Sequence, residues 1–154
     1  MNRYDTSLKY IKPKDLIFVI LYGGVLSILF GVLLGFVDYY ISFGIGISFS
    51  GILFFISSMQ IGKLVRKQYE YPHIVYIVIT AIFLIIQAII IFFLPTIFSV
   101  VKENNAPELV FDFRLYWLVL RNFVQSLFAG FNFNLWLSVF VFSIGTYLGV
   151  KQTY

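Results

Sequence analysis

Residues 16–37 form a run of 22 residues without a charge, and Gly23, Ser27, Gly31 and Gly35 recur through it at intervals of four. As an α-helix the run is roughly 33 Å long at ~1.5 Å per residue. A bilayer hydrocarbon core is about 30 Å thick, so the run is long enough to cross one. Positions four apart share a helix face. Small residues there cut a groove in which a second helix can approach closely. The pattern predicts a membrane-crossing helix packed against protein.

The rest of the chain agrees with that class. Only 12% of its 154 residues are charged, against about 25% in a soluble domain. No stretch resembles a linker, so one all-α integral membrane domain over residues 1–154 is expected. The absence of cysteine excludes disulfides, thiolate metal sites and cysteine nucleophiles. Richness in Ile, Phe, Tyr, Asn and Lys hints at an AT-rich bacterial genome, hence a bacterial cell membrane. Arg3, Lys9, Lys12 and Lys14 precede the first apolar run in the manner of a signal peptide. A signal core is about 7–15 residues, shorter than this run, and no good cleavage site follows, so an uncleaved span is expected.

Four transmembrane helices are read from hydrophobicity. The first is 16–37. Asp38, Tyr39 and Tyr40 read as a very short turn, and 41–61 as the second span, making a tight antiparallel hairpin. The polar stretch 62–73 leads to a third span at 74–94, which Pro95 ends or kinks, with an extension to 101. Residues 102–112 read as a surface loop and 131–150 as the last span. In 114–130, Arg114, Arg121 and Gln125 share one helical face while aromatic and aliphatic residues cover the rest. That suits an outer interfacial amphipathic helix. A fifth span would place Arg121 at mid-bilayer, at a cost of at least ~2.5 kcal/mol. Of the 11 Lys and Arg residues, all but Lys102, Arg114 and Arg121 fall on one side of the four-span arrangement. The positive-inside rule then places both termini in the cytoplasm.

The small residues are the expected helix-packing sites: Gly23, Ser27, Gly31 and Gly35 in the first span, Gly44, Ser48 and Gly51 in the second, and Gly145 and Gly149 in the last. The second span is the expected occupant of the first span's groove. The Gly145/Gly149 face and the outer amphipathic segment are left for outside partners. Among polar groups near membrane depth, Gln60, Asp38, Gln87, Arg121 and Gln125 stand out. Lipid cannot satisfy such groups, so they are expected to face the bundle, as interhelical bonds or as a polar pathway, with Asp38 pairing Arg121. His73, the one histidine, reads as an interfacial loop residue near enough to Glu70 to pair with it. The group Lys63, Arg66 and Lys67 and the group Lys9, Lys12 and Lys14 are explained by topology, with contact to anionic headgroups as the sharper alternative.

No nucleotide-binding, serine-hydrolase, zinc-protease or dinucleotide fingerprint occurs, and no cofactor, metal or nucleic-acid partner is expected. The first reading is a non-enzymatic interaction or accessory subunit of a membrane complex, of transport, envelope or immunity type. Its partners are the bilayer and a membrane protein or a second copy. The alternative is a small oligomeric transporter or channel, with Ser27, Ser48, Ser50, Ser57 and Ser58 available to line a polar path. An intramembrane enzyme would need a paired nucleophile and base at depth, and none is seen.

Overall fold

A computed structural model describes residues 11–45, 48–129 and 133–154. Among the described residues the chain is helical, with no β-strand. Helix α1 (Pro13–Ile20) passes through a π-helical turn (Leu21–Val25) into α2 (Leu26–Ile45). Helix α3 (Ser50–Arg66) and the long α4 (Ile74–Asn104) follow, then a 3₁₀ turn (Pro107–Phe111), α5 (Phe113–Phe128) and α6 (Phe133–Lys151). Two stretches are long and apolar enough to cross a membrane, Pro13–Ser42 with 30 residues and Ile74–Asn104 with 31.

The proposed turn at Asp38, Tyr39 and Tyr40 lies within α2, which continues to Ile45. Asp38 normally favours turns because its carboxylate competes for local backbone N–H groups. Here the carboxylate reaches forward, accepting from the Phe49 N–H at 2.6 Å and the Ser48 hydroxyl at 2.8 Å. It therefore caps the start of α3 and leaves its own helix unbroken. The helix expected at 41–61 accordingly occupies Ser50–Arg66. Pro95 stays inside α4. It lacks an N–H, so only one helical hydrogen bond is forfeited there. The helix stops at Asn105, a left-handed residue with φ 49°. His73 caps its other end, its Nδ1 accepting from the Val75 N–H at 3.2 Å.

Helices α1 and α2 pack along α4 in the same direction, Gly23 meeting Phe83, Gly31 meeting Ile90 and Gly35 meeting Leu94. Helices α3 and α6 form a second parallel pair: Gly51 meets Val141, Gly145 meets Phe54 and Gly149 meets Ser58. Between the pairs, α4 and α6 run in opposite directions, with Leu84 at Gly149 and Phe92 near Phe142. The core joins them through Val19, Phe54, Ile61, Val65, Tyr76, Leu84 and Ile91. Outward, α1, the π-helical turn and α2 expose Ile17, Leu21, Ile28 and Leu33, and α4 exposes Val78, Ile82, Ile85 and Ile89.

Candidate functional site

The first-span groove is filled by α4 rather than by the helix that follows it in sequence. A Cβ on Gly31 would lie 3.1 Å from Ile90, and one on Gly35 2.9 Å from Leu94. Sequence reasoning missed Gly24, whose Cβ would lie 3.0 Å from the Phe83 ring, while Gly23 faces the same ring at 3.1 Å. Adjacent residues on an α-helix point about 100° apart. The π-helical turn at Leu21–Val25 widens the helix where both glycines meet one phenylalanine. The adjacent Gly-Gly pair was the available signal. Ser27 is buried within this stripe, its hydroxyl without a partner among the described residues.

The remaining small residues divide. Gly51 packs on Val141, and Gly145 and Gly149 lie against Phe54 and Ser58, so the face expected to await an outside partner is covered by α3. The Ser58 hydroxyl donates across that seam to the Gly145 carbonyl at 2.9 Å. Gly62 abuts the Gly149 carbonyl. Gly44, by contrast, belongs to α2 and has nothing within 4 Å of its Cβ position. Ser48 precedes α3 and serves Asp38 instead of a packing face.

The polar residues considered together as a pathway occupy separate places. Asp38 is buried at the junction of α2 and α3, bonded to Ser48 and Phe49 rather than to Arg121. Gln87 is fully buried; its amide donates to the Ser57 hydroxyl at 2.7 Å, and Ser57 donates to the Phe54 carbonyl at 3.0 Å. The Gln87 Oε1 has no partner among the described residues. Gln60 is exposed on α3. Arg121 and Gln125 are exposed on α5. Among the described residues no group of three or more His, Asp or Glu side chains converges as a metal site would require.

Three stripes run along α5. Tyr116, Phe123 and Leu127 turn inward, Phe123 meeting Phe92 at 5.0 Å and Phe93 at 5.5 Å between ring centres. Arg114, Arg121 and Gln125 form the polar stripe. A third stripe, Phe113, Trp117, Val124 and Phe128, is apolar and exposed, at 88% for Phe113 and 86% for Phe128. Between α4, α5 and α6 an open groove of 550 Å³ is lined by Ile85, Ile89, Phe92, Phe123, Leu127, Phe142 and Tyr147. Its volume is within the range of about 300–1,000 Å³ usual for ligand pockets.

At the opposite end of the bundle, Lys12 bonds Glu70 at 2.7 Å. The lysine's hydrogen bond and charge hold the Glu70 carboxyl below its ordinary range, and Glu70 raises Lys12 in turn. His73 is buried against Tyr76, so Glu70 is committed to Lys12 rather than to the histidine. Arg66, expected only as a topological charge, is an anchor. Its Nη1 donates to the Tyr69 carbonyl at 2.8 Å and its Nε to the Tyr154 carbonyl at 3.0 Å. The Tyr69 hydroxyl donates to the Thr153 carbonyl, tying the end of α6 to the turn after α3. Burial pushes the Tyr69 phenol up.

No protein-family model, curated protein or solved structure matches this chain.

Proposed function

We propose that the chain is a four-crossing membrane protein, beginning with an α2–α3 hairpin, that serves as an interaction or accessory subunit of a membrane complex. Membrane residence is supported by the outward faces of α1, α2 and α4, where Ile17, Leu21, Ile28, Leu33, Val78 and Ile82 are exposed along the two longest helices. Water would oppose so long an apolar surface; hydrocarbon would not. Four crossings are supported by direction. With α1–α2 parallel to α4 and α3 parallel to α6, the chain alternates across the membrane only if α5 does not cross. The 17 residues of α3 span roughly 26 Å at ~1.5 Å per residue, close to the core thickness. The stripes of α5 give it a protein face, a lipid face and a headgroup face, as an interfacial helix requires. Lys and Arg counts then put both termini in the cytoplasm.

The interaction role is carried by one observation. The small-residue faces on α2, α3 and α6 are filled from within the chain apart from Gly44, while the aromatic groove between α4, α5 and α6 stays open. A partner's membrane helix would dock there, and the reading includes no catalytic step. Purification in mild detergent at native expression, with the intact mass measured, tests it. A different chain bound in fixed ratio is expected. Because the chain has no cysteine, single cysteines can map the contact. Ile89→Cys in the groove should cross-link that partner and Leu33→Cys on the outer face of α2 should not. The reading fails if the protein purifies alone and neither position cross-links.

A second reading, a small oligomeric transporter, draws on Ser27, Ser57 and Gln87, three polar side chains buried at mid-bundle with two oxygens unpartnered among the described residues. The same purification separates the two, since a transporter would appear as a homo-oligomer that moves solute in liposomes.

A further inference from the structure

We infer that the pocket between the start of α1 and the turn after α3 holds the headgroup of an aminophospholipid, a phosphodiester bearing a primary amine; this rests on the membrane reading above. Two basic groups far apart in sequence meet here. Lys14 from the start of α1 and Lys67 from the end of α3 line one cavity of 420 Å³. Of its charged residues, Lys12 and Glu70 neutralise each other at 2.7 Å. Neighbouring Arg66 is spent on the carbonyls of Tyr69 and Tyr154. Lys14 and Lys67 carry no ion pair or hydrogen bond among the described residues, Lys14 lying only beside the Phe18 ring at 5.9 Å. Asp15 lines the same cavity, near enough to Lys12 to feel its charge but with no contact ion pair among the described residues.

Two ammonium groups and one carboxylate complement a ligand with one phosphate and one amine. Lys14 and Lys67 would take the phosphate oxygens, and Asp15 would accept from the amine. A headgroup without an amine would satisfy the two lysines but leave the Asp15 carboxylate without a partner. The pocket also has an apolar exit. Phe18 lines it, and Leu21 and Tyr22 beyond are 52% and 38% exposed. Acyl chains can therefore continue down the outside of α1 from a headgroup held at its start. Free phosphate would use the cations but neither Asp15 nor this surface.

The full chain, purified in mild detergent, would be titrated with phosphatidylethanolamine, phosphatidylcholine, phosphatidylglycerol and inorganic phosphate, with retained ligand read by native mass spectrometry. Phosphatidylethanolamine should be held best. The double variant Lys14→Gln/Lys67→Gln should weaken it roughly tenfold or more, as expected for two lysines at a headgroup. Asp15→Asn should bring phosphatidylethanolamine and phosphatidylglycerol to equal affinity. Lys63→Gln, exposed in the same basic group but outside the cavity, should change nothing. Equal retention of the three lipids, or a double variant that binds normally, overturns the inference. Displacement of lipid by equimolar inorganic phosphate overturns it in favour of a free-anion site. A chain that integrates into membranes yet ignores headgroups defeats this inference alone, whereas one that fractionates as soluble defeats the membrane reading first.

Discussion

A methyl group added at Gly149 would sit 2.8 Å from the Ser58 carbonyl and 2.7 Å from Leu84, whereas one added at Gly44 would meet nothing within 4 Å. Backbone cannot yield as a side-chain tip can. Gly149→Ala should therefore cost about 1–3 kcal/mol of stability. Gly44→Ala should be neutral or gain up to about 1 kcal/mol from helix propensity. Thermal unfolding in detergent compares the two, and equal shifts would contradict the α3–α6 contact. At Asp38 the carboxylate holds the Ser48 hydroxyl and the Phe49 N–H. Asp38→Ala should cost about 0.5–2 kcal/mol, the usual worth of a helix cap, read by the same unfolding assay. The Gln87–Ser57 pair predicts an asymmetry. Ser57→Ala strands a buried amide donor and should cost about 1–3 kcal/mol. Gln87→Leu removes both that donor and an oxygen already without a partner among the described residues, so its cost should stay within the ~1.7 kcal/mol ceiling measured for bonds of this kind. A larger loss from Gln87→Leu than from Ser57→Ala would contradict this account of the pair.

Among the elements, the N-terminal approach to α1 is fastened to the turn after α3 by Lys12 and Glu70. The Glu70 carboxyl is lowered by Lys12, so its contribution is complete above the ordinary carboxylate range and lost as pH falls through the depressed value. Lys12 is raised by Glu70, so its contribution is complete below the ordinary lysine range and lost as pH rises through the raised value. The fastening should thus be strongest between about pH 5 and 10, with reference values near 4.3 and 10.4. Both groups are exposed, so salt should weaken it. Proteolysis of the turn at 67–73 should accelerate at acid pH and at high salt, and Glu70→Gln should abolish both dependences. The sequence made the long apolar helices visible because hydrophobic length needs no knowledge of neighbours. It also marked the amphipathic character of α5 through the spacing of Arg114, Arg121 and Gln125. Helix ends were less legible. Asp38 looks like a turn former until Ser48 and Phe49 are seen to satisfy it from ten and eleven residues ahead. Partner choice between helices was not legible at all, since Gly31 and Gly35 advertise a groove without saying whether α3 or α4 fills it. The clasp of Arg66 and Tyr69 on Thr153 and Tyr154 depends on contacts more than eighty residues apart in sequence.

For the whole molecule, two parallel helix pairs sealed by small residues meet along a seam that carries Gln87 and Ser57, with α5 attached to the C-terminal half of α4 through Phe123. This arrangement ties the proposed topology to the proposed function. If α5 crossed the membrane, Arg121 would enter the hydrocarbon and the aromatic groove would cease to be a docking face for an outside helix. Single-cysteine labelling of intact cells with a membrane-impermeant maleimide addresses this directly, because the chain has no cysteine of its own. Cysteines at Glu103 and Asn122 should both label from outside, while cysteines at Gln68 and after Tyr154 should label only once the membrane is permeabilised. An Asn122 cysteine that stays unlabelled while Glu103 labels, with the terminal cysteine accessible from outside, would contradict the four-crossing account.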